Sequence, residues 1–293
     1  MVLRCESAQL SLDPMRGGAI RAFTWRGLDV LRPTPAQAGD DPLDVACFPM
    51  VPYVNRVADG HFDFLGRTVR LERNWLGDPH PLHGHGWRTS WDVVSASNTT
   101  ATLRFEGGGN EWPWRYRSEQ CFELGPDELW VELSVENLSD SPMPAMLGLH
   151  PYFADATHAQ LQAELPRIWL TDAAALPVEE AQTPVRCRFE DSRAIESVAL
   201  DHCFTGWDGV ASLRWPDRVV TIRATQCNYL RVVTIRSAQC NYLHVYAPAG
   251  KDFFCAEPQT APPGALGRNA GEATVVAPRE RFAIRVQFAV GEN

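Results

Sequence analysis

Lysine is all but missing from this chain: of its 27 basic residues only Lys251 is a lysine, a bias that reads as genome composition rather than function. Positive charge is scarce too. Against 36 acidic residues the formal net charge is -9, and no basic block occurs anywhere. Nucleic acid and anionic membranes attract proteins through a positive field, so neither is expected as a partner. No run approaches the roughly 20 apolar residues of a membrane-crossing helix. Met1-Val2-Leu3-Arg4-Cys5-Glu6 lacks a basic segment ahead of an apolar run, so no signal peptide is expected. The eight cysteines, at 5, 47, 121, 187, 203, 227, 240 and 255, form no CxxC pair. A fold of this length buries about 75% of the chain's surface and needs no disulfide staple. Reduced thiols packed as small apolar groups, in a cytoplasmic protein, are the expectation. GxGxxG and Walker loops, a GxSxG elbow and an HExxH helix are all absent. Nucleotide-binding, serine-hydrolase and zincin readings thereby lose their usual support.

What is present is strand. Leu129, Val131, Leu133 and Val135 alternate with Trp130, Glu132, Ser134 and Glu136, the period of a half-buried strand. Ala101, Leu103 and Phe105 repeat the pattern, as do Phe282, Ile284, Val286 and Phe288. Turn residues separate such runs, as in Gly107-Gly108-Gly109-Asn110, Gly125-Pro126-Asp127 and Trp215-Pro216-Asp217. No amphipathic helix longer than two turns is expected, and only Thr171 to Ala181 suits a short one. The fold class is all-β, a large antiparallel β-sandwich, with residues 1–293 as one domain because no linker divides them.

One repeat interrupts this pattern. Residues 219–231 are followed at once by a near copy, 232–244, identical at ten of thirteen positions. Thirteen is odd, so absorbing the copy into a strand would turn every later side chain to the wrong face. One copy is therefore expected outside the central sheet, as a loop or edge hairpin, with Tyr242-Leu243-His244-Val245-Tyr246 remaining in the sheet.

Five clusters set polar residues among glycine, proline and aromatics, a mixture suited to a concave site. They are Pro52 to Arg56 with Gly60-His61-Phe62, Pro81 to Trp87, Gly148 to Phe153, Leu200 to Phe204, and Phe253 to Pro258. Glu257 ends an apolar run and is held extended by the proline after it. Burial there would raise its pKa toward that of a base working near neutrality; a solvated strand end is the alternative. His150 is either a proton carrier near pH 7 or a structural histidine. Arg56 and Asp201 either bind hydroxyl groups or are surface charges. His80, His83 and His85 have the HxH spacing of a cupin-type metal site, but no carboxylate follows them, and no metal is expected.

In order and spacing these clusters resemble the aldose 1-epimerase (galactose mutarotase-like) family, from about Asn55 to Glu257. The resemblance implies a β-supersandwich and an enzyme needing no cofactor, an isomerase exchanging the α and β anomers of a sugar. Asn55-Arg56 looks like the family's Asn-Arg pair, whose arginine holds sugar hydroxyls. His83 looks like its first histidine, a sugar ligand. His150 matches the general acid, Asp201 the aspartate that accepts hydroxyls, and Glu257 the general base. His150 lies between Gly148-Leu149 and Pro151-Tyr152-Phe153, as in a broader bacterial branch, which leaves the aldose unspecified. The implied partner is a small-molecule sugar, bound by a monomer or homodimer. Trp75, Trp207 or Phe204 would supply a stacking wall. A hexose 6-phosphate substrate would call on Arg73 or Arg88. A non-catalytic carbohydrate-binding protein of the same fold is a further alternative.

Overall fold

Alternation in the sequence becomes pairing in three dimensions. In the strand Glu128–Asn137, Leu129, Val131, Leu133 and Val135 are fully buried. The strand Arg281–Gly291 runs antiparallel beside it and sets Val286 opposite Val131 and Ile284 opposite Leu133. The computed structural model describes residues 1–39, 41–109, 112–230, 233–267 and 271–293, and of 42, 227–230 and 233–239 the backbone alone. Two large sheets, of eleven and ten strands, carry the fold, and their strand pairings are antiparallel. Apolar faces of both join one core, in which Trp215 from beside the ten-stranded sheet approaches Phe153 and Phe254 of the other. Among the described residues the only helical elements are three-residue 3₁₀ turns, and no helix is long and apolar enough to cross a membrane. The seven described cysteines, all but Cys227, are free thiols.

The middle of the eleven-stranded sheet runs in the order Cys47–Met50, Gly148–Ala154, Phe253–Gln259, Tyr242–Ala247 and Leu200–Thr205. Its inner face gives Leu149, Phe153, Phe254 and Val245 to the core. The period of two then sends His150, Glu257 and His244 to the opposite face. Register lines them up across the strands: Phe48 is opposite His150, and His244 is opposite Glu257. One step along, Tyr152 and Tyr246 flank Cys255 from either side.

The segment Thr171 to Ala181 is not a helix, contrary to the sequence expectation. It is a hairpin between Arg167–Thr171 and Pro177–Gln182. The Asp172 carboxylate accepts from the backbone N–H groups of Ala174 (2.9 Å) and Leu176 (3.0 Å), and Ala175 turns at φ 56°. An aspartate that bonds its own following backbone offers the chain a turn in place of a helix.

The repeat opens into a hairpin arm. Val219–Leu230, which holds most of the first copy, pairs along its length with Arg281–Gly291, and its first half with Val210–Arg214. Val233–Gln239 of the second copy doubles back on the outer half, from Leu230 opposite Val233 to Thr225 opposite Gln239. Residues 231 and 232 lie outside the described residues. Tyr242–Ala247 then joins the eleven-stranded sheet. One copy is central and the other is an arm paired to it, so the odd length never shifts the strand that follows.

Candidate active site

Two loops close over that outer face and are tied to each other. Asn55 and His83 both adopt left-handed backbone, at φ 57° and 56°. A non-glycine residue holds that conformation only where its surroundings fix it. Here the Asn55 N–H donates to His83 Nδ1 (3.2 Å) and the His83 N–H to the Asn55 carbonyl (3.1 Å). Because Nδ1 accepts, the ring proton of neutral His83 sits on Nε2. Burial holds His83 well below the usual histidine range, so it is a neutral donor.

Beneath these loops lies a cavity of about 160 Å³. That is about five waters' share of liquid volume, room for one small polar molecule. It gathers all six residues singled out in the sequence: Asn55, Arg56, His83, His150, Asp201 and Glu257. It also takes in His244, Tyr152, Tyr246, Trp75, Leu43 and Leu82. A larger cleft of about 350 Å³, between Ala156, Glu196 and Lys251, gathers none of the six.

Glu257 is 2% exposed, and both its oxygens are engaged. Oε1 is 3.2 Å from His150 Nε2, and Oε2 accepts from Gln259 Nε2 at 3.2 Å. Asn55 Nδ2 donates to Gln259 Oε1 at 2.8 Å, which fixes the way round of the Gln259 amide. Burial pushes the Glu257 carboxyl up to about 7, with the charge of His244 and the Gln259 bond opposing. His150 is stacked between Phe48 (4.4 Å) and Tyr152 (4.7 Å), and burial lowers it to about 3. Near neutrality the two in contact therefore share a single proton that resides mainly on the carboxyl.

Asp201 and His244 form a second pair, with His244 Nε2 2.9 Å from Asp201 Oδ1. Burial works to raise Asp201, but the bond and charge of His244 outweigh it and hold the carboxyl at about 2. Burial works against charging His244, and the carboxylates of Glu257 and Asp201 raise it nonetheless. Arg56 Nε donates to Asp78 Oδ2 at 2.6 Å, which fixes the guanidinium plane at the cavity wall. Asp78 is itself anchored by the His80 N–H at 2.9 Å.

Several other expected residues lie elsewhere. Of the three rings suggested as a wall, Trp75 lines the cavity; Phe204 and Trp207 are buried in the core. Arg73 donates to the carbonyls of Trp75, Leu76 and Asp78, and Arg88 lies over the Trp87 ring; neither lines the cavity. His80 accepts the Asp59 N–H through Nδ1, and of the three neighbouring histidines His83 alone reaches the site. His244, Gln259 and Asp78 were not anticipated. Gln259 had a readable signal, two residues after Glu257 on the same strand face. His244 was masked by the repeat it terminates, and Asp78 sits in a loop without a pattern.

The family model for "Aldose 1-epimerase" matches residues 14–289. The Escherichia coli K12 protein YphB, whose own function is uncharacterized, is 32% identical over 279 residues, 93% of this chain and 94% of its own. A crystal structure from Escherichia coli K12, described as a candidate aldose 1-epimerase, superposes with a TM-score of 0.89 at 28% identity, covering 100% of this chain and 98% of that one. A galactose mutarotase-like protein from Clostridium acetobutylicum superposes at 0.86 with 17% identity, over 100% and 95% of the two chains, a likeness of fold.

Proposed function

The chain belongs to the aldose 1-epimerase family, and we propose that it is a mutarotase of a free aldose, with Glu257 and His150 exchanging the protons. The observation that carries this reading is the 3.2 Å contact between Glu257 and His150 inside a cavity sized for one small polar molecule.

Anomer exchange requires the C1–O5 bond of the ring to break, with a proton leaving the C1 hydroxyl and another reaching O5. As the C1 hydroxyl takes up its place against Glu257, the shared proton passes to His150 Nε2. Glu257, now a carboxylate, accepts the C1 hydroxyl proton while the His150 imidazolium donates to O5. The open aldehyde turns about C1–C2 and closes on its other face, with the two roles reversed. Each acid–base partner contributes roughly 10²–10⁴-fold. Arg56, the Nε2–H of His83 and the Asp201 carboxylate hold the hydroxyls while the ring is open. Trp75 offers an apolar side.

A phosphorylated sugar is less well supported. Arg56 is bonded to Asp78, and neither Arg73 nor Arg88 lines the cavity, so among the described residues no uncommitted arginine stands there to clamp a phosphate. Polarimetry or NMR exchange across a panel of free and phosphorylated aldoses tests both points. Acceleration of free sugars is expected, slowed at least 10²-fold in His150→Asn. Binding without acceleration would favour a sugar-binding protein instead.

A further inference from the structure

Cys255 lies one same-face step along its strand from Glu257, opposite Tyr152. Its thiol is fully buried, and its sulfur, a ligand nitrogen of His150 and a carboxylate oxygen of Glu257 all lie within 4.8 Å of one another. Zinc binds nitrogen and oxygen at about 2.0–2.2 Å and sulfur at about 2.3 Å, so tetrahedral ligands sit roughly 3.4–3.6 Å apart. The His150–Glu257 edge, at 3.2 Å, already has that length. The sulfur needs to close by no more than about 1.2 Å, a side-chain torsion rather than a backbone movement. Gln259 holds Glu257 Oε2, which leaves Oε1 to ligate singly, and two of the three ligands, His150 and Glu257, line the cavity.

We propose that His150, Cys255 and Glu257 form a reversible binding site for zinc-class divalent ions, which switch the site off by taking the atoms that exchange protons. A thiol, an imidazole and a carboxylate together favour zinc or cobalt over magnesium or calcium. On binding, the Cys255 thiol proton and the proton shared by Glu257 and His150 both leave to solvent, and the thiolate, the carboxylate and the neutral imidazole take their places on the metal. His150 Nδ1 has no hydrogen-bond partner among the described residues. Metal-bound histidines ordinarily donate through that second nitrogen, and its lack keeps the site weak and exchangeable. The inhibitory consequence rests on the mutarotase reading; the binding does not.

Cobalt titration of the purified chain separates the two. One thiolate-to-cobalt absorption band per chain is expected, displaced by zinc and insensitive to magnesium. In Cys255→Ala the band should vanish and metal affinity should fall by more than the 10–100-fold that loss of an outer partner costs. His150→Asn, read on the band alone, serves as a second variant should the first fold poorly. Zinc should inhibit anomer exchange by the wild type, with sugar protecting, and should not inhibit Cys255→Ala, which is otherwise active. Absence of the band, or an equal band in both variants, would overturn the site. A band that zinc fills without slowing exchange would overturn the switch. A metal-free protein that exchanges no sugar would defeat the mutarotase reading and leave the band to judge the site.

Discussion

Replacing Glu257 by glutamine should slow turnover by orders of magnitude and at the same time stabilise the fold. The folded carboxyl titrates at about 7, against 4.5 for an ordinary glutamate. Below pH 4.5 the group is protonated in folded and unfolded chains alike, and its burial is not penalised. Between 4.5 and 7 the unfolded chain releases its proton while the folded chain keeps it, which favours unfolding. Above 7 the full difference of about 2.5 in pKa has been lost from stability, roughly 3 kcal/mol. Glutamine has the same shape but no charge to desolvate. Its amide oxygen can accept from Gln259, and its NH₂ can donate to His150 Nε2. Urea denaturation of wild type and Glu257→Gln at pH 4.5, 6 and 8 should therefore show the variant's advantage widening by about 3 kcal/mol from the first pH to the last. Over the same series anomer exchange should be down roughly 10²–10⁴-fold. A stability gap that stays constant with pH would refute the burial argument, and wild-type exchange rates would refute the role of the base.

The shared proton sets a pH profile: kcat/KM should fall tenfold per unit above about pH 7, as the Glu257–His150 pair loses its proton, and should not fall with it again until near pH 3. A rate that climbs through pH 7 to a plateau, once the buffer-catalysed background is subtracted, would contradict a one-proton resting pair. Gln259→Leu strands Asn55 Nδ2 and removes a bond that favours the charged carboxylate. It should cost about 1–3 kcal/mol in denaturant titration and move the alkaline fall to higher pH. A variant lacking residues 226–238 joins Thr225 directly to Gln239, partners across the base of the arm. It should melt cooperatively and keep its exchange rate; loss of the thermal transition would show that the arm supports the fold.

The fold class was legible because one face of each strand meets a core and the other meets water or the cavity, and period two records that division. Val131 and Val286 announce themselves in this way. Glu257 was legible for the opposite reason, as a charge ending an apolar run. The short helix expected at Thr171 to Ala181 failed because side-chain bonds from Asp172 outweigh composition in so short a segment. His244 could not be singled out. Its importance arises from cross-strand register with Glu257 and a bond to Asp201, both long-range facts. Gln259 was readable in principle, yet only the position of Asn55, 204 residues away in sequence, gives it a task.

The hairpin arm also says which parts of the duplicated segment remain under constraint. The opening of the first copy, Val219 to Arg223, sits between two strands of the ten-stranded sheet. The close of the second copy, Tyr242 to His244, lines up beside Glu257. The indispensable strand-to-strand path is thus a composite, begun by one copy and finished by the other. What lies between is a detour whose two ends share one address. The counterpart of His244 in the first copy is Arg231, so the two copies differ in sequence at the position that stands opposite Glu257 in the second. Sequence drift should therefore collect in the interior of the arm, while the two outer ends stay fixed.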